Sequence, residues 1–197
     1  MPNAREEEIA LLFTQARSFS AWLDQPVEDA LLRQLYELVR TGPTSANSQP
    51  LRVVFVKSPE AKQQLREALT PMNVEKTMTA PVTAIIAFDA AFHLKLTKLF
   101  PARPEMRERL AGLPAAEYER FAAQSSTLQA GYLILAARAL GLDCGPMGGF
   151  NAAKVNELFF PDGAWKTTLL INLGYGDTTK LHPRLPRLDF GEACRIA

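Results

Sequence analysis

The sequence predicts an α+β domain built on one central sheet covered by helices. Three observations carry this reading. The runs 51–57, 82–88 and 167–173 are apolar, rich in branched residues and too short for ordinary helices. The stretch 117–140 instead repeats apolar residues at helical spacing. The strand runs do not alternate strictly with helices, which argues against a doubly wound parallel sheet.

The chain has 197 residues, which fits one domain spanning 1–197. Residues 4–16 read as a first helix. Ile9, Leu12, Phe13 and Ala16 repeat at helical spacing, and Glu6, Glu7 and Glu8 suit its positive N-terminal end. A second helix is predicted over 27–40, with Leu31, Leu35 and Leu38 as its apolar stripe, stopped by Gly42 and Pro43. The polar loop 44–50 leads into the strand 51–57, and 59–69 returns to helix. Beyond Pro81, the almost wholly apolar run 82–88 implies a strand covered on both faces. Residues 90–116, broken by Pro101, Pro104 and Pro114, read as helical pieces forming an excursion. The helix 117–140, with Leu128, Tyr132, Leu135 and Ala139 on one side and Ile134 and Ala137 on the other, is apolar nearly all round and should be central. Gly141 stops it. A short strand 142–144 and a flexible segment 145–150 follow, then a helix capped by Asn151 and the strand 167–173. The tail 180–197 carries Leu185, Leu188 and Phe190, which need cover from this chain or a partner.

Charge and motif content exclude several classes. Twenty-two basic residues against 21 acidic ones argue against a broad polyanion-binding surface and against a nucleic-acid partner. No apolar run approaches the ~20 residues needed to span a bilayer, and the acidic N-terminus lacks a signal-like apolar segment. A cytoplasmic location without membrane association is the expectation. Cys144 and Cys194 form no CxxC pair, and two histidines without an HExxH offer no metal site. The GxGxxG, GxxxxGK[ST] and GxSxG patterns are missing.

Three segments remain for chemistry. In 42–50, Ser45, Asn47 and Gln49 offer the mixture of donors and acceptors that a flavin edge requires, although the same residues also make a self-capped loop. In 145–149, the glycines allow a planar ligand to approach the backbone at Pro146, Met147 and Gly148, although an ordinary turn has this composition too. Arg17 beside Ser18, with Lys180, Arg184 and Arg187 late in the chain, suits a phosphate if the segments converge. Singly, each is a solvated charge. No side chain stands out as a catalytic acid or base.

These segments carry a resemblance. Ala16-Arg17-Ser18, the run from Gly42 to Pro50, Gly141 to Phe150, Leu170 to Asp177 and Arg184 to Leu188 resemble, in order and spacing, the nitroreductase family. Within it they are most similar to the malonic semialdehyde reductase branch of pyrimidine utilisation. The resemblance implies an α+β sandwich with a mostly antiparallel sheet, dimerising through long helices, with the C-terminal segment 180–197 wrapping the partner. It implies FMN at the interface of a homodimer and NADH or NADPH as hydride donor. Arg17 and Ser18 then fall at the FMN phosphate and ribityl end. Ser45, Asn47 and Gln49 fall on the flavin loop, with the pocket wall an alternative for Asn47. Pro146, Met147 and Gly148 lie against the ring, and Arg184 or Arg187 is the late phosphate ligand. The branch implies ping-pong reduction of malonic semialdehyde to 3-hydroxypropionate. Broad nitroaromatic or quinone reduction, and flavin binding without turnover, are the alternatives. Ala16, Ser20 and Leu51 depart from the family pattern, which has basic residues at the first two positions and tryptophan at the third.

Overall fold

The computed structural model describes residues 3–197. Four strands form one antiparallel sheet: β1 (Leu51–Val56), β2 (Val82–Asp89), β3 (Asp143–Met147) and β4 (Trp165–Gly174), in the order β1-β2-β4-β3. Nine α-helices surround it among the described residues: α1 (Ala4–Ile9), α2 (Asp29–Val39), α3 (Pro59–Arg66), α4 (Pro71–Met78), α5 (Leu96–Leu99), α6 (Met106–Ala111), α7 (Ala115–Ala139), α8 (Ala152–Phe159) and α9 (Phe190–Ala193).

β2 shows why the sheet is covered twice. Its side chains alternate between faces. Val82, Ala84 and Ile86 pack with Leu32, Leu35 and Val39 of α2 and Ala130, Leu133 and Ala137 of α7. Ile85 and Ala87 pack on the other face with Leu65 of α3, Val155 of α8 and Phe160. Each such fully buried leucine or isoleucine stabilises the fold by about 1.5–3 kcal/mol relative to exposure. Side chains cap three of the helix starts. Ser58 Oγ accepts from Ala61 N at 3.2 Å, Asn151 Oδ1 accepts from Lys154 N at 3.1 Å, and Asn3 and Glu6 close a reciprocal cap on α1.

Several expectations are corrected. α2 buries Leu32, Leu35 and Val39, and leaves Leu38 exposed. α7 buries Ala122, Ser125, Ser126, Gln129, Ala130, Leu133 and Ala137, while Leu128 and Tyr132 face outward. Its polar members answer the sheet's own backbone: Ser126 Oγ donates to Ala87 O at 3.0 Å, and Gln129 Oε1 accepts from Leu51 N at 3.4 Å. The first helix is α-helical only to Ile9 and closes with a wider π turn, Ala10–Thr14, and its Ile9, Leu11 and Phe13 are exposed. The segment 70–80, for which the sequence predicts no element, contains α4, started by Pro71 in its first turn.

The strand read at 142–144 runs on through the supposedly flexible Gly145-Pro146-Met147. Proline is tolerated there because β3 is an edge strand. The excursion 90–116 is a 3₁₀ turn (Phe92–Lys95) followed by α5 and α6. It has a small apolar cluster of its own, in which Phe92, Leu96 and Leu110 meet Phe88 and Ala122. Gly141 ends α7 at φ +79°, as its stop role requires.

Candidate functional site

The first site element is the chain leaving the π turn. A helix end leaves carbonyls without partners, and arginines supply them here. Arg184 Nη2 donates to Thr14 O at 2.9 Å and to Ala16 O at 3.0 Å, and Arg138 Nη1 donates to Leu12 O at 2.8 Å. Arg17 Nη2 donates to His182 O, which ties the tail's start to the same place. The result is a cavity of about 710 Å³ whose wall holds Arg17, Ser18, Arg138, Lys180, Arg184 and Arg187. No carboxylate lines it among the described residues. Arg138 Nε is buried there without a hydrogen-bond partner. An orphan charged donor amid unopposed cations fits an anionic group with several acceptor oxygens, and a phosphate is the simplest such group.

The structure therefore brings together Arg17, Ser18, Arg184 and Arg187, which lie up to 170 positions apart in sequence. Sequence reading missed Arg138 and His182. Arg138 sits in the last turn of α7, where its charge complements the helix end, so position alone made it look like an ordinary cap. Ser20, one of the two non-basic departures, also lines the cavity.

The second element is β3. Ser18 runs parallel beside Cys144, with Phe19 N donating to Cys144 O at 3.0 Å. Gly145 permits this approach, since a Cβ there would stand 2.4 Å from Phe19 O. The basic cavity thus adjoins the N-terminal half of β3, and the strand rises about 10 Å from Cys144 to Met147. Pro146 on it and Gly148 just past its end are exposed. Met147 is not: its side chain lies in the core, its sulfur accepting from Thr77 Oγ1 at 3.6 Å, so only its backbone is free to meet a ligand. Beyond it, Gly149 O accepts from Thr70 N, Thr70 Oγ1 and Asn73 Nδ2 at 3.2, 2.8 and 2.6 Å, which fixes the loop to the start of α4. Cys144 is fully buried, and burial pushes its thiol up to about 12, which removes it as a nucleophile.

The third element is the turn 44–49. Ala46, Asn47 and Gln49 all have positive φ, at 53°, 48° and 41°. Each such non-glycine residue costs about 1–2 kcal/mol, and such strain gathers at functional sites. Asn47 Nδ2 donates to Leu99 O at 2.7 Å, Gln49 Nε2 to Asn47 Oδ1 at 2.9 Å, and Gln49 N to Thr44 Oγ1 at 3.1 Å. Arg52 adds a donation to Gln49 O at 3.2 Å while paired with Asp89 at 2.5 Å. Ser45 is exposed at the head of this turn. None of Ser45, Asn47 and Gln49 lines the basic cavity; Gln49 opens instead onto a separate cavity of about 840 Å³. Within one chain, the ten sequence-selected residues therefore divide between the basic cavity with its adjoining strand and the strained turn.

The model of the nitroreductase family matches residues 14–175. The chain belongs to the nitroreductase family. A Ralstonia nicotianae relative, provisionally named an NADH dehydrogenase/NAD(P)H nitroreductase, is 55% identical over the whole of both chains. A Stutzerimonas stutzeri relative with the same provisional name is 56% identical over 96% of this chain and 95% of its own. Among solved structures, a Bacillus subtilis protein provisionally described as a nitroreductase superposes with a TM-score of 0.87 at 21% identity, covering 98% of this chain and 100% of that one. An Exiguobacterium sibiricum protein, provisionally a nitroreductase and solved in complex with FMN, gives 0.86 at 19% identity over 100% and 99%. At these identities the structural matches establish the nitroreductase fold, with its antiparallel sheet between helices. No helix of this nitroreductase-family chain is long and apolar enough to cross a membrane among the described residues.

Proposed function

We propose that this chain is an FMN-dependent NAD(P)H oxidoreductase acting on nitroaromatic and quinone acceptors, and that it works as a homodimer. The observation that carries the proposal is the basic cavity, with its unpaired Arg138 Nε, set beside the N-terminal half of β3 in a member of this family. Arg17, Ser18, Arg184 and Arg187 would hold the FMN phosphate and ribityl end, with Arg138 completing the shell. The backbone from Pro146 to Gly148 would run along the ring. A bound FMN supplies the hydride relay between NADH or NADPH and the acceptor. The chain's own residues bind and orient, and no side chain is assigned as an acid or base.

The division of the site supports the homodimer. Ser45, Asn47 and Gln49 do not reach the cavity of their own chain, so a second copy would present its turn there. The exposed Leu185, Leu188, Phe190 and Ile196 of the tail support that assembly, because they are 75%, 70%, 64% and 87% exposed in a single chain. The provisional names of the relatives speak of nitroreductase activity and of no aldehyde, which favours broad nitro and quinone reduction. The narrower acceptor, malonic semialdehyde, rests on the motif resemblance alone.

The test is a visible spectrum after FMN addition and desalting, then anaerobic NAD(P)H in the same cuvette. Retained absorbance near ~450 nm that bleaches with the donor is the expected result. Protein that retains no flavin, or flavin that the donor leaves oxidised, would refute the proposal. Acceptor rates at matched donor then separate the readings: a clear preference for malonic semialdehyde over quinones and nitroaromatics would restore the narrower one.

A further inference from the structure

The cavity beside Gln49 lies outside the phosphate site, and its walls are unusual. Tyr36, Phe55 and Trp165 give it apolar faces, and four cations, Arg40, Arg52, Lys95 and Lys98, share it without a single carboxylate. Two of the four already have partners: Arg40 pairs with Glu37 at 3.2 Å and Arg52 with Asp89 at 2.5 Å. Lys95 and Lys98 have no ion pair among the described residues.

Their placement follows from the excursion. Phe92 and Leu96 are buried and anchor the 3₁₀ turn and α5, so Lys95 and Lys98, three positions apart, come out on one exposed side. The hydrogen bond from Asn47 Nδ2 to Leu99 O fastens this segment to the strained turn at 2.7 Å. Two like charges three positions apart on one exposed side repel each other, and one anion between them relieves the repulsion.

We propose that this cavity takes the carboxylate end of the electron acceptor, and that Lys95 and Lys98 select anionic aromatic acceptors over neutral ones. The inference rests on the reductase reading above, in which Gln49 stands at the edge of the flavin held by the other copy. Charges beside that edge meet a substituent on the acceptor itself. The phosphates of a nicotinamide donor lie a ribose away from its reacting ring, so they suit these charges less well.

Trp165 in the wall gives a readout that does not need turnover. The experiment titrates the FMN-reconstituted full chain with 4-nitrobenzoate and with its neutral isostere 4-nitrobenzamide, following tryptophan quenching, with Trp165→Phe as the signal control. Rates of flavin reduction by NADPH and kcat/KM for both acceptors are measured on the same samples. At low salt the carboxylate should bind about five-fold or more tightly than the amide, as expected for two partly exposed charges acting together. In Lys95→Met/Lys98→Met, and in high salt, that preference should collapse towards unity, with amide binding and flavin reduction unchanged. Equal binding of the two probes to the unaltered protein overturns the inference, as does a preference that survives in the double variant. A double variant slowed in reduction by NADPH, with its acceptor preference intact, also overturns it and assigns the lysines to the donor's phosphates. Protein that holds no reducible flavin yet still discriminates the probes through Lys95 and Lys98 supports the anion site and refutes the reductase reading, so the two failures are distinguishable.

Discussion

Lys62 should make this protein more stable as the pH rises above neutrality. The residue lies on α3, only 4% exposed, with no carboxylate as partner among its hydrogen bonds. Its Nζ donates to Thr77 O at 2.9 Å and to Thr83 Oγ1 at 2.6 Å. Thr83 Oγ1 passes a bond to Asn172 Oδ1 at 2.7 Å, and Asn172 Nδ2 holds Lys76 O at 3.0 Å. The network therefore grips the last turn of α4, whose first turn holds Gly149. Burial lowers the Lys62 ammonium from 10.5 to about 7. Between those two values the unfolded chain binds the proton and the folded chain does not, so unfolding free energy climbs with pH. Below about pH 7 the penalty is at its full size and constant, and above the unfolded value it has vanished. At about 1.4 kcal/mol per pH unit, the gain from pH 7 to pH 9 is roughly 2 kcal/mol, and the whole penalty is about 5 kcal/mol.

Lys62→Met removes the titration and leaves Thr77 O short of a donor, a cost of about 1–3 kcal/mol that does not depend on pH. The assay is urea unfolding followed by circular dichroism at pH 7, 8 and 9, for both proteins at equal chain and FMN concentration, since ligand and assembly shift apparent stability. The difference, wild type minus variant, should grow by roughly 2 kcal/mol across that range. A difference that stays flat would show that Lys62 is not the group titrating, and the reasoning would fail.

Three further outcomes are expected. At pH 8 the native protein should keep Cys144 from a disulfide reagent and yield it only on unfolding, because its thiol is buried and pushed up to about 12; two fast thiols in the native state would contradict its burial. Arg184→Met removes both a cation from the basic cavity and the donor to Thr14 O and Ala16 O, so flavin titration should find FMN bound about 10- to 100-fold more weakly. An unchanged FMN affinity would remove Arg184 from the phosphate shell. Gly145→Ala drives a methyl to 2.4 Å from Phe19 O, and thermal or urea unfolding should show a loss of about 1–3 kcal/mol with weakened FMN retention. Full stability in that variant would mean that Ser18 and Phe19 do not press on β3 as described.

Much of the fold is local and was readable from sequence. Val82 to Phe88 had to be covered on both faces, because an apolar run leaves no side for water. Asn151 starts a helix with its own side chain, and Gly141 stops one in a conformation other residues resist. The inward face of α2 differs from its sequence stripe, and the inward face of α7 is not legible in the sequence, for one reason. Both helices carry apolar residues around more than half their circumference, and helical period alone does not say which arc meets the sheet. Leu128 and Tyr132 satisfy the spacing as well as Leu133 and Ala137, but Ser126 and Gln129 bind the sheet's backbone and turn α7 the other way. At β3, glycine and proline signalled a loose segment, whereas pairing with β4 makes it a strand.

The candidate site divides in the same way. Residue type marked Arg17, Ser18, Arg184 and Arg187 as a phosphate set, since several cations near a serine suit that chemistry wherever they lie in the chain. Sequence alone could not say that they converge, because convergence depends on how the π turn, the tail and α7 pack. Arg138 and His182 were missed because each has an ordinary role in its own segment. The buried side chain of Met147, the positive φ values at Ala46, Asn47 and Gln49, and the separation of that turn from the basic cavity are likewise tertiary facts. Sequence by itself determined the chemistry each residue could offer and the period of each element. Only the tertiary structure decided which face turned inward and which residues met, because both are set by contacts between segments far apart in the chain.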